Sequence, residues 1–279
     1  MGAPMARNLL DAGFDVTVHN RTREREEPLA AAGASRAATP ADAAKDADVV
    51  VVIVSDTPDV EDVLFGTGGV AQTAKEGTVI VDMSTISPDA TKDFGRRLAE
   101  GGVRLVDAPV SGGSEGAQQG TLTIMCGGAA GDVERVRPVL EVMGSKITHV
   151  GDLGSGQLTK AVNQVIIAGY FLALAEGMVL GMKTGLDMDK VIEAISAGMC
   201  RSAVLDMRAG NMLAGDYPLG FKLSLHLKDL KIALDAAQRA GAELPLAAMV
   251  RTIEEGLLDE HGEEDLSAIA ADIRRRAGL

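Results

Sequence analysis

Four short apolar runs rich in β-branched side chains recur between helix-like stretches in the first half of the chain: VVVVIVS from Val49, TVIVDM from Thr78, VRLVDAPV from Val103 and TLTIMCGG from Thr121. Runs this short and this apolar read as strands buried on both faces, and such strands need helices to cover them. The segments between supply the helices. In SPDATKDFGRRLAEGG, Ser87 stands where a cap belongs, Phe94 and Leu98 are four apart, and paired glycines close the helix. The expectation is an α/β domain built on a doubly wound, mainly parallel sheet. After GDLGSGQ the texture changes: from Gln157 onward, helical stretches rich in Ala, Leu and Met follow one another without a convincing strand. The chain is therefore divided into an α/β domain over residues 1–153 and an all-helical domain over residues 154–279.

The opening, MGAPMARNLLDAGFDVTVHNRT, places a helix before a strand. Pro4 suits a first helical turn, Met5, Leu9 and Leu10 share a face, and Gly13 stops the helix; apolar Phe14, Val16 and Val18 then alternate with polar residues as in a strand. This is the second half of a βαβ unit, and the expectation is that its first strand is absent. In a dinucleotide-binding unit of this kind, glycines admit the pyrophosphate to a helix N-terminus and a residue ending the second strand meets the adenosine ribose. Gly2 is then the last glycine of the turn, and Asn20, Arg21 and Thr22 follow the second strand. An acidic residue there would accept from a ribose 2′-hydroxyl, whereas Arg21 can neutralise a 2′-phosphate, so NADP is favoured over NAD.

Two further stretches carry candidate chemistry. In VDAPVSGGSEGAQQG a strand ends at Asp107, and Ser111, Gly112 and Gly113 expose backbone N–H groups beside a hydroxyl, a concavity suited to a carboxylate. A glycine turn of ordinary structural purpose reads the same way locally. In GSGQLTKAVNQVIIAGYFLALAEG, Lys160, Asn163 and Gln164 share one face of a helix that is apolar nearly all round. A lysine on such a helix is costly to bury without partners, and it is expected to face a cleft between the domains.

Other classes are disfavoured. Forty acidic residues against 27 basic ones give a net charge of -13, which repels nucleic acid and anionic membranes over most of the surface. Cys126 and Cys200 show no metal or disulfide spacing and are expected as free thiols, with no metal site. The run VIIAGYFLALA reads as a buried helix rather than a span, no signal peptide is visible, and a cytoplasmic location is expected.

Taken in order, the opening segment, DTPDVEDVLFGTGGV, VDMSTISP, DAPVSGGSEGAQQGTLTIMCGG, GSGQLTKAVNQ and LHLKDLKIAL resemble the β-hydroxyacid dehydrogenase family, which includes 3-hydroxyisobutyrate dehydrogenase. The resemblance implies NAD(P)-linked interconversion of a short β-hydroxyacid and its semialdehyde or oxo form. It implies a dinucleotide-binding domain, a helical substrate and oligomerisation domain, and a homodimer or homotetramer. Lys160 matches the family's catalytic lysine, Ser111, Gly112 and Gly113 its substrate-carboxylate loop, and Asn163 a residue orienting the substrate. Thr85 and Lys228 match cofactor contacts, with a capping threonine and a surface lysine as the plain readings. GFKLSLHLKDLKIALDAAQRAGAELPL, His226 included, resembles most the tartronate semialdehyde (2-hydroxy-3-oxopropionate) reductases. Relatives open with a strand and the turn GFIGLGxMG, of which this chain carries only the final Met-Gly. A non-catalytic ligand-binding or assembly protein, inactive through loss of that strand, is the alternative from another class.

Overall fold

The computed structural model describes all 279 residues, Met1–Leu279, and they fall into two compact units, Met1–Lys160 and Ala161–Leu279. The first contains, in chain order, α1 (Gly2–Asp11), β1 (Thr17–Val18), α2 (Glu27–Ala31), β2 (Ser35–Arg36), α3 (Pro40–Ala44), β3 (Val49–Val52), α4 (Thr57–Phe65) and β4 (Val79–Asp82). It continues through α5 (Pro88–Ala99), β5 (Arg104–Asp107), β6 (Val110–Ser111), α6 (Gly113–Gln119), β7 (Leu122–Gly127), α7 (Ala130–Met143) and β8 (Gly144–Gly151). Helix α8 (Ser155–Lys183) begins in this unit and runs on into the second, which adds α9 (Met188–Ser196), α10 (Ala203–Ala214), α11 (Leu223–Ala240), α12 (Pro245–His261) and α13 (Ile269–Ala277). An α/β sheet followed by helices is thus the fold.

Strands β3, β4 and β5 pair in parallel, in register from Val49 with Val79 and from Val79 with Arg104. The expected run at Thr121 becomes β7, which lies antiparallel to β5 through Asp107 and Gly127 and antiparallel to β6, while β8 pairs with β7 in parallel. Every residue of β4 is buried, because helices cover both faces: Val79 and Val81 pack in one cluster with Met5, Leu9, Val133, Val136 and Leu140, and Ile80 in another with Val60, Leu64, Phe94 and Leu98. Ser87 caps α5 as its position required, accepting from the Ala90 N–H.

The front of the sheet departs from this pattern. Strand β1 is two residues long, Phe14 is exposed, and its ladder partner is β2 alone, a Ser-Arg pair without the apolar signature that would have marked it as a strand. The β1–β2 pair and the six-stranded sheet are separate, so the ladder breaks between β1 and β3. Three of the four β3 residues are accordingly only half-buried although all are valine.

In the second unit, α8 supplies Ala168, Phe171, Leu172 and Ala175 to a core completed by Val250 and Leu257 of α12 and Ile269 of α13. The expectation that the run VIIAGYFLALA is a buried helix needs correction here. Helix α8 runs for 29 residues and is long and apolar enough by composition to cross a membrane, yet only one side of it is covered. Val162, Ile166 and Tyr170, spaced by four, are at least half exposed.

Candidate active site

Helix α8 starts against the ends of the sheet, and a buried carboxylate sets where. Asp107, the last residue of β5, has no exposed surface; its two oxygens accept from the N–H of Gly154 and the N–H of Gln157, each at 2.8 Å. These are donors at a helix start that no helical carbonyl satisfies, so the side chain of one element finishes the hydrogen bonding of another. Burial pushes the Asp107 carboxyl above its ordinary value, and the N–H groups of Gly154 and Gln157 oppose that rise. Glycine is required at position 156 for room: a β-carbon there would collide with the Met125 carbonyl and stand 2.7 Å from Asp107 Oδ2.

Gln157 makes the second attachment. Its side-chain oxygen accepts from the Ile86 N–H at 3.1 Å and its amide donates to the Ser84 carbonyl at 2.8 Å. Thr85, half-buried, lies between those two anchored residues in the loop that leaves β4. Lys160 follows Gln157 by three positions, one turn later on the same side of α8, and is 7% exposed. The structure therefore gathers the Thr85 loop, the end of β5 and the turn that bears Lys160 around two polar side chains, Asp107 and Gln157. Neither was singled out as a site residue from sequence. The available signal was an acid ending an apolar strand and a glutamine one helical turn before a lysine.

Ser111 ends β6, and Gly112 and Gly113 follow with φ of 129° and 61°, backbone conformations that a side chain would strain. Gly112 is exposed and Ser111 and Gly113 are half-buried.

In the second unit a polar chain runs across helices. Asn163 donates to Gln164 Oε1 at 2.8 Å, and Gln164 Nε2 donates to Asp229 Oδ2 at 2.6 Å. Lys228 pairs with Asp229 Oδ1 at 2.8 Å. Fully buried His226 lies with Nδ1 2.7 Å from Glu254 Oε1 and Nε2 3.4 Å from the Gln164 carbonyl, which ties α12 through α11 to α8. Burial raises the Glu254 carboxyl, His226 opposes the rise, and nearby Asp229 adds to it. Lys228 is thus no surface lysine; it and Asn163 belong to one network, which their separation by some 65 positions hid from the sequence.

Helix α1 opens at Gly2 without a side chain capping its N-terminus, and a β-carbon on Gly2 would stand 3.0 Å from Ile53 Cγ2, just past the end of β3. An uncapped helix N-terminus at the carboxyl ends of parallel strands fits the pyrophosphate of a dinucleotide. Asn20, Arg21 and Thr22 are exposed after β1; Asn20 Oδ1 accepts from the Thr22 N–H at 2.9 Å, and Arg21 approaches Asp59 of α4 at 3.7 Å.

Residues 1–151 match the NAD binding domain of 6-phosphogluconate dehydrogenase, and residues 154–273 match the NAD-binding domain of NADP-dependent 3-hydroxyisobutyrate dehydrogenase. The chain is 41% identical over 248 residues to 2-hydroxy-3-oxopropionate reductase of Escherichia coli K12, covering 89% of this chain and 85% of that one. It superposes on the structure of Mycobacterium tuberculosis 3-hydroxyisobutyrate dehydrogenase with L-serine at a TM-score of 0.90 and 31% identity, with 98% and 96% of the two chains covered. A structure described as Psf3 in complex with NADP+ and 2-OPP gives a TM-score of 0.88 at 27% identity, covering 98% of this chain and 96% of that one.

Proposed function

The chain belongs to the NAD(P)-dependent β-hydroxyacid dehydrogenase family, and from that premise we propose that it is an NADP-preferring reductase of a short semialdehyde, foremost tartronate semialdehyde (2-hydroxy-3-oxopropionate). Other short β-hydroxyacids and their semialdehydes, 3-hydroxyisobutyrate among them, are the neighbouring choices. Likeness to the Escherichia coli reductase supports the first, and the name of the tuberculosis relative supports the second. The proposal extends to a cytoplasmic homodimer or homotetramer, for which the exposed apolar stripe of Val162, Ile166 and Tyr170 on α8 is the supporting feature.

The bound nicotinamide dinucleotide supplies the two-electron redox step. Gly2 at the start of α1, the Asn20–Arg21–Thr22 turn, Thr85 and Lys228 would hold it. The chain's own residues do the rest. Ser111, Gly112 and Gly113 offer a hydroxyl and unobstructed backbone N–H groups to the substrate carboxylate. Asn163, braced by Gln164, orients the substrate. Lys160 Nζ donates a proton to the carbonyl oxygen as negative charge develops there, and recovers one in the reverse direction. Lys160 is 7% exposed, and electrostatic stabilisation by the ammonium is stronger in a site so shielded from solvent.

The observation that carries this reading is the seating of Lys160, 7% exposed, one turn beyond a glutamine that is hydrogen-bonded into the Thr85 loop. NADPH oxidation in the presence of tartronate semialdehyde tests it. Lys160→Ala is expected to lower kcat by about 10² to 10⁴, the range of general acid–base catalysis, with the fold retained by circular dichroism. An unchanged kcat would overturn the role, and no turnover with any short oxoacid would overturn the reaction.

A further inference from the structure

A buried acid lies beneath the exposed Asn20–Arg21–Thr22 turn. Glu26 is 1% exposed, while Glu24 and Glu27 beside it are on the surface. Its Oε1 accepts from the Asn20 N–H at 2.8 Å and from Arg23 Nη1 at 3.0 Å, and its Oε2 accepts from Arg36 Nε at 2.7 Å. Arg36, the last residue of β2, also donates to the Arg23 carbonyl at 2.8 Å, and Arg23 Nη1 reaches the Ala37 carbonyl. The carboxylate thereby joins the end of β1, the turn after it and the end of β2 at one point. Burial alone would raise the Glu26 carboxyl; the hydrogen bonds from Arg36 and Asn20 and the charge of Arg23 outweigh it and hold the group below its ordinary value, ionised at neutral pH.

Two consequences follow for a ligand at this turn. Asn20 is fixed by its backbone, and its side chain in turn fixes the Thr22 N–H, which leaves Arg21 between them 93% exposed. The acid itself is withdrawn: buried and engaged by two guanidinium groups, Glu26 is not available to accept from a ribose 2′-hydroxyl, the hydrogen bond by which an NAD-binding turn recognises its cofactor. Two arginines share the one buried carboxylate, and Arg21, which meets Asp59 at 3.7 Å, keeps its guanidinium 93% exposed where a 2′-phosphate can reach it.

We propose that Glu26 is a positioning residue that sets cofactor discrimination, holding the Asn20–Arg21–Thr22 turn in the form that takes a 2′-phosphate. The inference rests on the NADP preference proposed above and adds the residue that builds it. Arg36 is the partner through which it acts.

Dissociation constants of the full chain for NADPH and NADH, read from quenching or enhancement of the reduced nicotinamide fluorescence, test it without turnover. The unsubstituted protein is expected to bind NADPH more tightly. Glu26→Ala is expected to weaken NADPH binding about tenfold, equivalent to about 1.4 kcal/mol, with NADH changed by less than about twofold. Glu26→Gln, whose amide oxygen still accepts from Asn20, retains most of the preference. Arg36→Met, which frees one oxygen and keeps the fold's apolar contacts, reduces the preference and serves if the alanine variant does not fold. An unaltered NADPH to NADH ratio in both Glu26→Ala and Arg36→Met would overturn the role, even if both melt earlier, because it makes the cluster a brace alone. Tighter NADPH binding by Glu26→Ala would overturn it in the other direction, by showing that Glu26 competes for the arginines. Equal affinities, or an NADH preference, in the unsubstituted protein would overturn the NADP reading itself, and a ratio that moves in no variant then removes the role of Glu26 with it.

Discussion

Asp107 and Glu26 are both buried carboxylates at the ends of structural elements in the first unit, and they are held in opposite ways. Asp107 closes the end of a central strand and takes backbone N–H groups from the start of α8; it has no cation among its hydrogen-bond donors, and burial raises its carboxyl. Glu26 sits where the ladder has narrowed to the two-residue pair of β1 and β2; two guanidinium groups and a single backbone N–H hold it, and its carboxyl is lowered. Where sheet and helix are already fixed by apolar packing, a carboxylate serves to satisfy orphaned donors. Where the ladder is short and exposed, charge pairing replaces the packing that is missing.

The largest expected effect comes from removing the first of these. Asp107→Ala leaves the Gly154 and Gln157 N–H groups buried without acceptors, at about 1–3 kcal/mol each, so urea unfolding should show a loss of roughly 2–6 kcal/mol. Asp107→Asn keeps one acceptor and should lose about half of that. A loss below about 1 kcal/mol for the alanine variant would break the comparison, since it would mean that water or a shifted helix start satisfies those donors.

Gln157→Leu sharpens it at a smaller scale. The substitution leaves the Ile86 N–H and Ser84 carbonyl unpaired while retaining apolar bulk, so a stability loss of about 1–3 kcal/mol is expected. If the glutamine also positions Lys160, kcat should fall more than KM rises; unchanged kcat and KM in the folded variant would confine it to stability.

The smallest effect is the pH dependence, and there the two acids should differ in sign. A lowered carboxyl contributes stability that is present above its unfolded value and lost as pH falls through the folded one, so the advantage of the native protein over Glu26→Gln should shrink below roughly pH 4. A raised carboxyl carries a cost when ionised, and that cost is relieved as pH falls through its folded value; Asp107→Asn should therefore compare most favourably with the native protein near neutrality and less so in acid. Melting temperatures of the three proteins between about pH 3 and pH 7 check both slopes.

Much of the fold was legible in the chain. The runs at Val49, Thr78 and Val103 became β3, β4 and β5 because a strand covered on both faces must be apolar throughout, and the helix at Ser87 followed from its cap and its spacing. Strand β2 was not legible, since Ser35 and Arg36 are held extended by the N–H groups of Ser35 and Ala37 donating to the carbonyls of Val16 and Val18 rather than by any pattern of their own. The burial of α8 was misjudged for a related reason: local composition records how apolar a segment is, but which side meets a core depends on what folds against it.

Within the site, Lys160, Asn163 and the Ser111 loop stood out because a lysine on an apolar helix and a serine before two glycines are chemically conspicuous in one dimension. Asp107, Gln157, Glu26, His226 and Glu254 act through partners remote in sequence or through burial, and neither is written in spacing. The order of residues thus determined the kinds of elements and the reactive groups they bear. Tertiary structure alone decided which acids would be stripped of water and what would answer their charge, because that depends on the few ångströms between groups that only packing brings together.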